Sequence, residues 1–367
     1  MAKSNKIKVG ILINKPESIF SNGCFQQGLF VLQSLRLSDI YEPFLVTSKT
    51  GYDTFECSDS ESITNLSTMD RKNELDILIC VSGDILDTNG LNMLQKENIK
   101  MIQYNCGHLP TIWQEAMILG AHKNSGQLPE INRNLHKKYL WTIPNYTKYN
   151  DIIGAMLNAE CRTIPYVWNT TIVDQWSKEN KINLYCKPFD KSKPNFILIA
   201  EPNVNVTKTC LVPLLICDQL FASSKIESKV MVLCKSKHQA FDGFIDSLNF
   251  KAETYPRMPF FEVLKQLNEK NGNIIILSNH GDNPLNFMIL EAMYLGYPVI
   301  HNSKPFQDGG YYYEKIKEAV SHIKNIINTH NPNGEYNFNA HKVISKFLPT
   351  TTLKGYENEL NRIIIEL

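Results

Sequence analysis

Two short runs rich in β-branched residues, Lys6–Asn14 (KIKVGILIN) and Asn195–Ala200 (NFILIA), each open a series of segments that alternate between strand-like and helix-like spacing. An apolar run of this length, bounded by turn formers, reads as a strand buried on both faces, as in a parallel sheet. Parallel strands need long crossovers, which helices supply. In the first half, strands are predicted over 41–47, 76–81, 100–104, 139–143 and 162–167, with helices over 25–37 and 91–97. In the second half, strands fall at 229–234, 273–277 and 297–301, and helices at 209–222, 260–271, 284–295 and 312–327. A chain of 367 residues exceeds one ordinary hydrophobic core. The expected class is therefore α/β, with two Rossmann-like domains facing a cleft. Residues 1–170 form the first domain, 171–194 a connection carrying two Lys-Pro pairs, and 195–345 the second domain. The helical stretch 346–367 is placed to cross back onto the first domain.

Several function classes drop out early. The formal net charge of +1 gives no bulk attraction to nucleic acid or membrane. No run reaches the roughly 18 apolar residues of a membrane helix, and Met1–Lys8 lacks the stages of a signal peptide. The nine cysteines include no C-x-x-C pair, which fits free thiols in a reducing compartment, so a cytoplasmic location is expected. Heavy use of Asn, Ile and Lys points to an AT-rich genome such as that of a virus or phage, in which case the location is the host cytoplasm. There is no G-x-x-x-x-G-K-[ST] loop, and the first strand lacks G-x-G-x-x-G. His280 has no second ligand at metal-site spacing, so neither a metal nor a cofactor is expected.

The most informative segment is 278–303, SNHGDNPLNFMILEAMYLGYPVIHNS. A loop leaves a strand, opens a helix bearing Glu291, and the chain turns at Gly296 into another strand. Such a loop lies at the carboxyl edge of a parallel sheet, where ligands bind. The helix start offers unpaired N–H groups and partial positive charge, which suit a diphosphate. A carboxylate further along can accept hydrogen bonds from two vicinal hydroxyls. Upstream, Glu201-Pro202-Asn203 and Lys208 follow the first strand of this half, and a cation there can pair with phosphate oxygens.

Leu290-Glu291-Ala292-Met293 and Gly296-Tyr297-Pro298-Val299 resemble the donor-binding signature of GT-B glycosyltransferases. With the tyrosine triplet 311–313, the chain also resembles an uncharacterised bacterial and viral branch of that superfamily, most strongly from Asn195 to Tyr313. The resemblance implies transfer of a hexosyl or pentosyl group from a nucleotide-diphosphate sugar, the co-substrate, to an acceptor hydroxyl. It assigns Glu291 to the donor ribose and Lys208 to the diphosphate. The family's second acid, eight positions before Glu291, is here Asn283. Either Asp282 replaces it or Asn283 contacts the sugar through its amide. Asn203, Asn286 and the Gly309-Gly310 pair complete the expected donor set.

In the first half, the Asn22-Gly23 loop is expected near the reacting sugar, and His108 and Asp282 are candidate catalytic groups. Asp84 and Glu115 are lesser acid–base candidates. The acceptor class stays open between a glycan and a hydroxymethylated base of phage DNA. For the latter, Lys123, Arg133, His136, Lys137, Lys138 and Tyr139 could line a basic groove. The alternative reading is a non-catalytic nucleotide-sugar-binding protein on the same scaffold. Retaining or inverting outcome and oligomeric state stay open.

Overall fold

A computed structural model describes residues 6–13, 19–21, 23–48, 54–55, 61–81, 88–120, 139–203, 205–236 and 238–365. The chain forms two compact units, Met1–Gln175 with Lys346–Leu367, and Trp176–Ser345.

The first unit is built on strands β1 (Ile7–Leu12), β2 (Tyr41–Thr47), β3 (Thr54–Phe55), β4 (Glu61–Asn65), β5 (Ile77–Val81), β6 (Lys100–Asn105), β7 (Tyr139–Thr142) and β8 (Glu160–Thr163). They lie in the order β3-β4-β2-β1-β5-β6-β7-β8, parallel except for the β3–β4 pair. Every residue of β5 is buried, as an apolar run covered on both faces must be. The helix Pro349–Ile365 belongs to this unit and packs by the helix Gly23–Leu35. Ser34 Oγ donates to the Pro349 carbonyl at 3.1 Å, and Tyr41 donates to Asn361 Oδ1 at 2.6 Å. Tyr356, Leu360 and Ile363 are fully buried there.

The second unit carries β9 (Asn195–Ile199), β10 (Ser228–Val232), β11 (Ala252–Thr254), β12 (Asn273–Leu277), β13 (Val299–His301) and β14 (Tyr311–Tyr312). The order is β11-β10-β9-β12-β13-β14, and every pair is parallel. From β9 the chain first winds outward through β10 and β11. It then returns to β12 and winds the opposite way. The switch point lies between β9 and β12, and crevices at the carboxyl ends of such strands are where open α/β sheets bind ligands.

Several element boundaries differ from the sequence reading; the strand expected over 162–167, for instance, is Glu160–Thr163. The stretch 171–194 holds a helix, Thr171–Asn180. The helix expected from residue 284 starts at Phe287, because the Asn286 side chain caps it by accepting from the Met288 N–H at 3.1 Å. The helix expected from residue 312 starts at Ile316. Tyr311 and Tyr312 instead pair with Ile300 and His301, and the Glu318 carboxylate accepts the Glu314 and Lys315 N–H groups to begin the helix.

Candidate functional site

The β9–β12 register pairs Asn195 with Asn273 and Leu198 with Ile276. Carried past the strand ends, it sets Glu201 beside Asn279, at the switch point. The Asn279 N–H donates to Glu201 Oε1 at 3.3 Å, and Ser278 Oγ donates to the same oxygen at 2.5 Å. His280 Nε2 lies 2.9 Å from Ser278 Oγ and 3.4 Å from Glu201 Oε1. Glu201 and Ser278 are 0% exposed and His280 is 4% exposed. Sequence reading did not single out Glu201, Ser278 or His280 for a site. The available signal was a polar group placed within two residues of the end of each of two apolar strands, in Ile-Ala-Glu and Leu-Ser-Asn-His.

The loop on which these groups sit is held from the next strand. The His280 N–H donates to Asn302 Oδ1 at 2.8 Å, and Asn302 Nδ2 donates back to the His280 carbonyl at 3.0 Å. Ser303 Oγ donates to the Pro284 carbonyl at 2.7 Å. Tyr313 donates to the Ser278 carbonyl at 3.1 Å.

Lys208 is brought to the same place by a different loop. Asn203 adopts a left-handed φ of 50°, which Asn tolerates. Its Nδ2 donates to the Cys234 carbonyl at 2.7 Å, and its Oδ1 accepts the Cys210 N–H at 2.8 Å. The Asn203 N–H donates to the Lys208 carbonyl at 3.2 Å, which closes the loop. Lys208 Nζ then donates to the carbonyl of Leu285 at 3.4 Å, next to the Asn286 cap. A cation and a helix start are thus adjacent, and both favour an anion.

The ionisation of the buried groups follows. Burial pushes the Glu201 carboxyl up to about 7, while the Ser278 hydroxyl, the Lys208 charge and the Asn279 N–H pull it back. Burial and the Lys208 charge hold His280 well below the usual imidazole range. Glu291, 5% exposed on the helix Phe287–Tyr294, is raised to about 8 by burial. Burial lowers His301 to about 4; its ring bonds the Gly309 carbonyl at 2.9 Å and the Ser303 N–H at 3.1 Å.

The remaining expected residues fall as follows. Asn283 is buried, while Asp282 is exposed on the same loop with a φ of 59°. A side chain on Gly310, whose φ is +70°, would meet His301 Nε2 at 2.8 Å, and one on Gly309 would meet Val343 at 3.0 Å. Both glycines therefore permit close packing around His301 and Val343. In the first unit, His108 caps the helix Leu109–Leu119 by accepting the Thr111 N–H at 3.2 Å, and its ring stands edge-on to Tyr146 and Tyr149. Gly23 is exposed and begins the helix Gly23–Leu35. Glu115 is buried within the helix that His108 caps, and Tyr139 is buried in β7. Asn22, Asp84, Lys123, Arg133, His136, Lys137 and Lys138 lie outside the described residues. Among the described residues, no helix is long and apolar enough to cross a membrane.

Solved structures share this architecture. Sucrose-phosphate synthase from Thermosynechococcus elongatus matches with a TM-score of 0.55 at 10% identity, over 98% of this chain and 100% of that one. Anabaena HepE, in complex with UDP and glucose, matches at 0.54 and 9% identity, over 98% and 100%. The DNA-modifying enzyme beta-glucosyltransferase matches at 0.52 and 10% identity, over 97% and 99%. The fold is thus the two-domain GT-B fold of glycosyltransferases. No curated relative matches the sequence. The family model described as "Protein of unknown function (DUF2827)" matches residues 7–360, and the chain belongs to that family.

Proposed function

We propose that the protein is a glycosyltransferase that binds a nucleotide-diphosphate sugar in its second unit and passes the sugar to an acceptor hydroxyl. The observation that carries this reading is the Lys208 Nζ bond to the Leu285 carbonyl, which sets a cation beside the capped start of the Glu291 helix at the switch point. In this reading the Lys208 ammonium and the N–H groups of that helix start hold the diphosphate. Negative charge grows on its leaving oxygen as the bond to the sugar breaks, and both features stabilise that charge. Glu291 takes the ribose hydroxyls, and Asn283 or the exposed Asp282 meets the sugar. His108 is assigned no chemical step, since its Nδ1 is occupied by the helix cap.

The test begins with thermal stabilisation by UDP, GDP, ADP and CMP sugars. A ligand at about 100 times its Kd adds roughly 2.7 kcal/mol. Nucleotide release is then followed with glycan acceptors and with DNA containing hydroxymethylated bases; the fold shared with a DNA-modifying glucosyltransferase supports including the latter. Binding without release or transfer would favour a non-catalytic nucleotide-sugar receptor. The absence of stabilisation by every nucleotide sugar would overturn the donor reading.

A further inference from the structure

Glu201 and His280 are joined through one hydroxyl. Ser278 Oγ stands 2.5 Å from Glu201 Oε1 and 2.9 Å from His280 Nε2. A hydroxyl has a single hydrogen, so when it donates to one neighbour the other must donate to it. Two arrangements satisfy the chain. With Glu201 ionised, Ser278 donates to the carboxylate and His280 carries its hydrogen on Nε2. With Glu201 protonated, the carboxyl donates to Ser278, Ser278 donates to Nε2, and the imidazole hydrogen sits on Nδ1. Passing from the first to the second binds one proton from water at Nδ1 and moves one hydrogen along each link. The negative charge on Glu201 is cancelled, and the imidazole stays neutral with its tautomer reversed.

Three further observations bear on this chain. Its ends, Glu201 Oε2 and His280 Nδ1, are buried atoms with no hydrogen-bond partner among the described residues. Asn286 Oδ1 is taken by the Met288 N–H, so its Nδ2 faces His280 Nε2 at 3.3 Å. That contact sets two N–H groups against each other when Nε2 carries a hydrogen, that is, when Glu201 is ionised, and is relieved when Glu201 is protonated. Lys208 acts electrostatically on both Glu201 and His280.

We propose that Glu201, Ser278 and His280 form a proton relay beneath the donor loop, which takes up one proton when a diphosphate engages Lys208. The idea rests on the donor reading above. A diphosphate at Lys208 sets negative charge beside a buried carboxylate, and Glu201 answers by becoming neutral. The relay then reverses, and the Nε2 hydrogen that faced the Asn286 amide is withdrawn as the donor arrives. Glu291, raised to about 8, is common to wild type and Glu201→Gln, so the difference between them reports Glu201; other nearby groups stay in one form near neutral pH. His301 is lowered to about 4, Cys210 is raised to about 11, and Cys234 and Tyr313 are raised, chiefly by burial.

The test has two arms on the full chain. In ligand-free protein labelled with 15N-histidine, the ring nitrogen shifts of His280 report its tautomer. The wild type should pass from Nδ1–H to Nε2–H as pH rises through about 7. Glu201→Gln, which cannot ionise, should hold one tautomer across the whole pH range. Ser278→Ala should uncouple the tautomer from pH. A wild-type tautomer that never changes, or one that tracks pH equally in Glu201→Gln, overturns the relay. In the second arm, UDP is titrated by calorimetry at about pH 8 in two buffers of different ionisation heat. Uptake of about half to one proton per UDP, lost in Glu201→Gln, is expected. Binding heat without uptake overturns the relay's coupling to the ligand and leaves the donor reading standing. No binding by UDP or any other nucleoside diphosphate overturns the coupling and the donor reading together, while the tautomer titration still judges the relay.

Discussion

His280 and Asn302 hold each other by two bonds, N–H to Oδ1 at 2.8 Å and Nδ2–H to carbonyl at 3.0 Å, although they lie 22 positions apart in the sequence. This clasp fixes the loop after β12 to the loop after β13, and it sets the height of the His280 ring against Ser278. Replacing Asn302 with Ala leaves a half-buried N–H and carbonyl without their partners. The expected loss is about 1–3 kcal/mol in urea unfolding. Asn302→Asp, which keeps the acceptor alone, should fall between.

Lys208→Ala should weaken nucleoside diphosphate binding by roughly 10- to 100-fold, since charge-assisted bonds to an anion contribute about 1.5–3 kcal/mol. Isothermal calorimetry with UDP, or whichever nucleotide stabilises the protein, measures it. Circular dichroism should show an unchanged fold, because the aliphatic stem alone does not hold the loop that Asn203 closes. Unaltered affinity would remove Lys208 from the donor site.

Glu291 gives a pH signature with a definite sign. Its carboxyl titrates at about 8 in the folded chain against 4.5 ordinarily. Across that window the folded state holds a proton that the unfolded chain has released, so stability is greatest below the window and falls as pH rises through it. Glu291→Gln removes the slope and should gain on the order of 5 kcal/mol over wild type near pH 9, with little difference near pH 4. Melting temperature against pH reads this directly. The same variant should bind the donor more weakly, which separates stability from recognition.

Gly310→Ala forces a left-handed φ of +70° on a residue with a side chain and drives its Cβ to 2.8 Å from His301 Nε2. A loss of about 1–3 kcal/mol is expected in denaturant unfolding. Because His301 bonds the Gly309 carbonyl, its ring signals should shift as well.

The β-strands that run through both cores were legible because a sequence such as NIIIL has only one way to hide its four apolar residues. The parallel class followed from the helices between them. The loop between β12 and the helix Phe287–Tyr294 was legible too, since polar residues after an apolar strand and before a helix leave few alternatives. What escaped the sequence was decided by partners distant along the chain. Tyr311 and Tyr312 have no strand signature of their own and extend only because β13 offers them an edge. Likewise, a lone histidine such as His280 shows no spacing pattern. Its importance depends on a register that sets Glu201 beside it from 79 positions away. The role of His108 as a cap was hidden by the same reasoning, for a strand-ending histidine looks alike whether it faces a ligand or the next helix.

The return of the helix Pro349–Ile365 to the first unit carries a consequence for biosynthesis. Ser34, Tyr41 and Pro165 each find their partner on that helix, at Pro349, Asn361 and Tyr356. On the ribosome, the second unit is translated in full before those partners emerge. The N-terminal sheet must therefore wait, with the apolar face of Gly23–Leu35 uncovered, while the later-made half already has every residue it needs. Order of folding should run opposite to order of synthesis, and the nascent chain should need shielding during that interval.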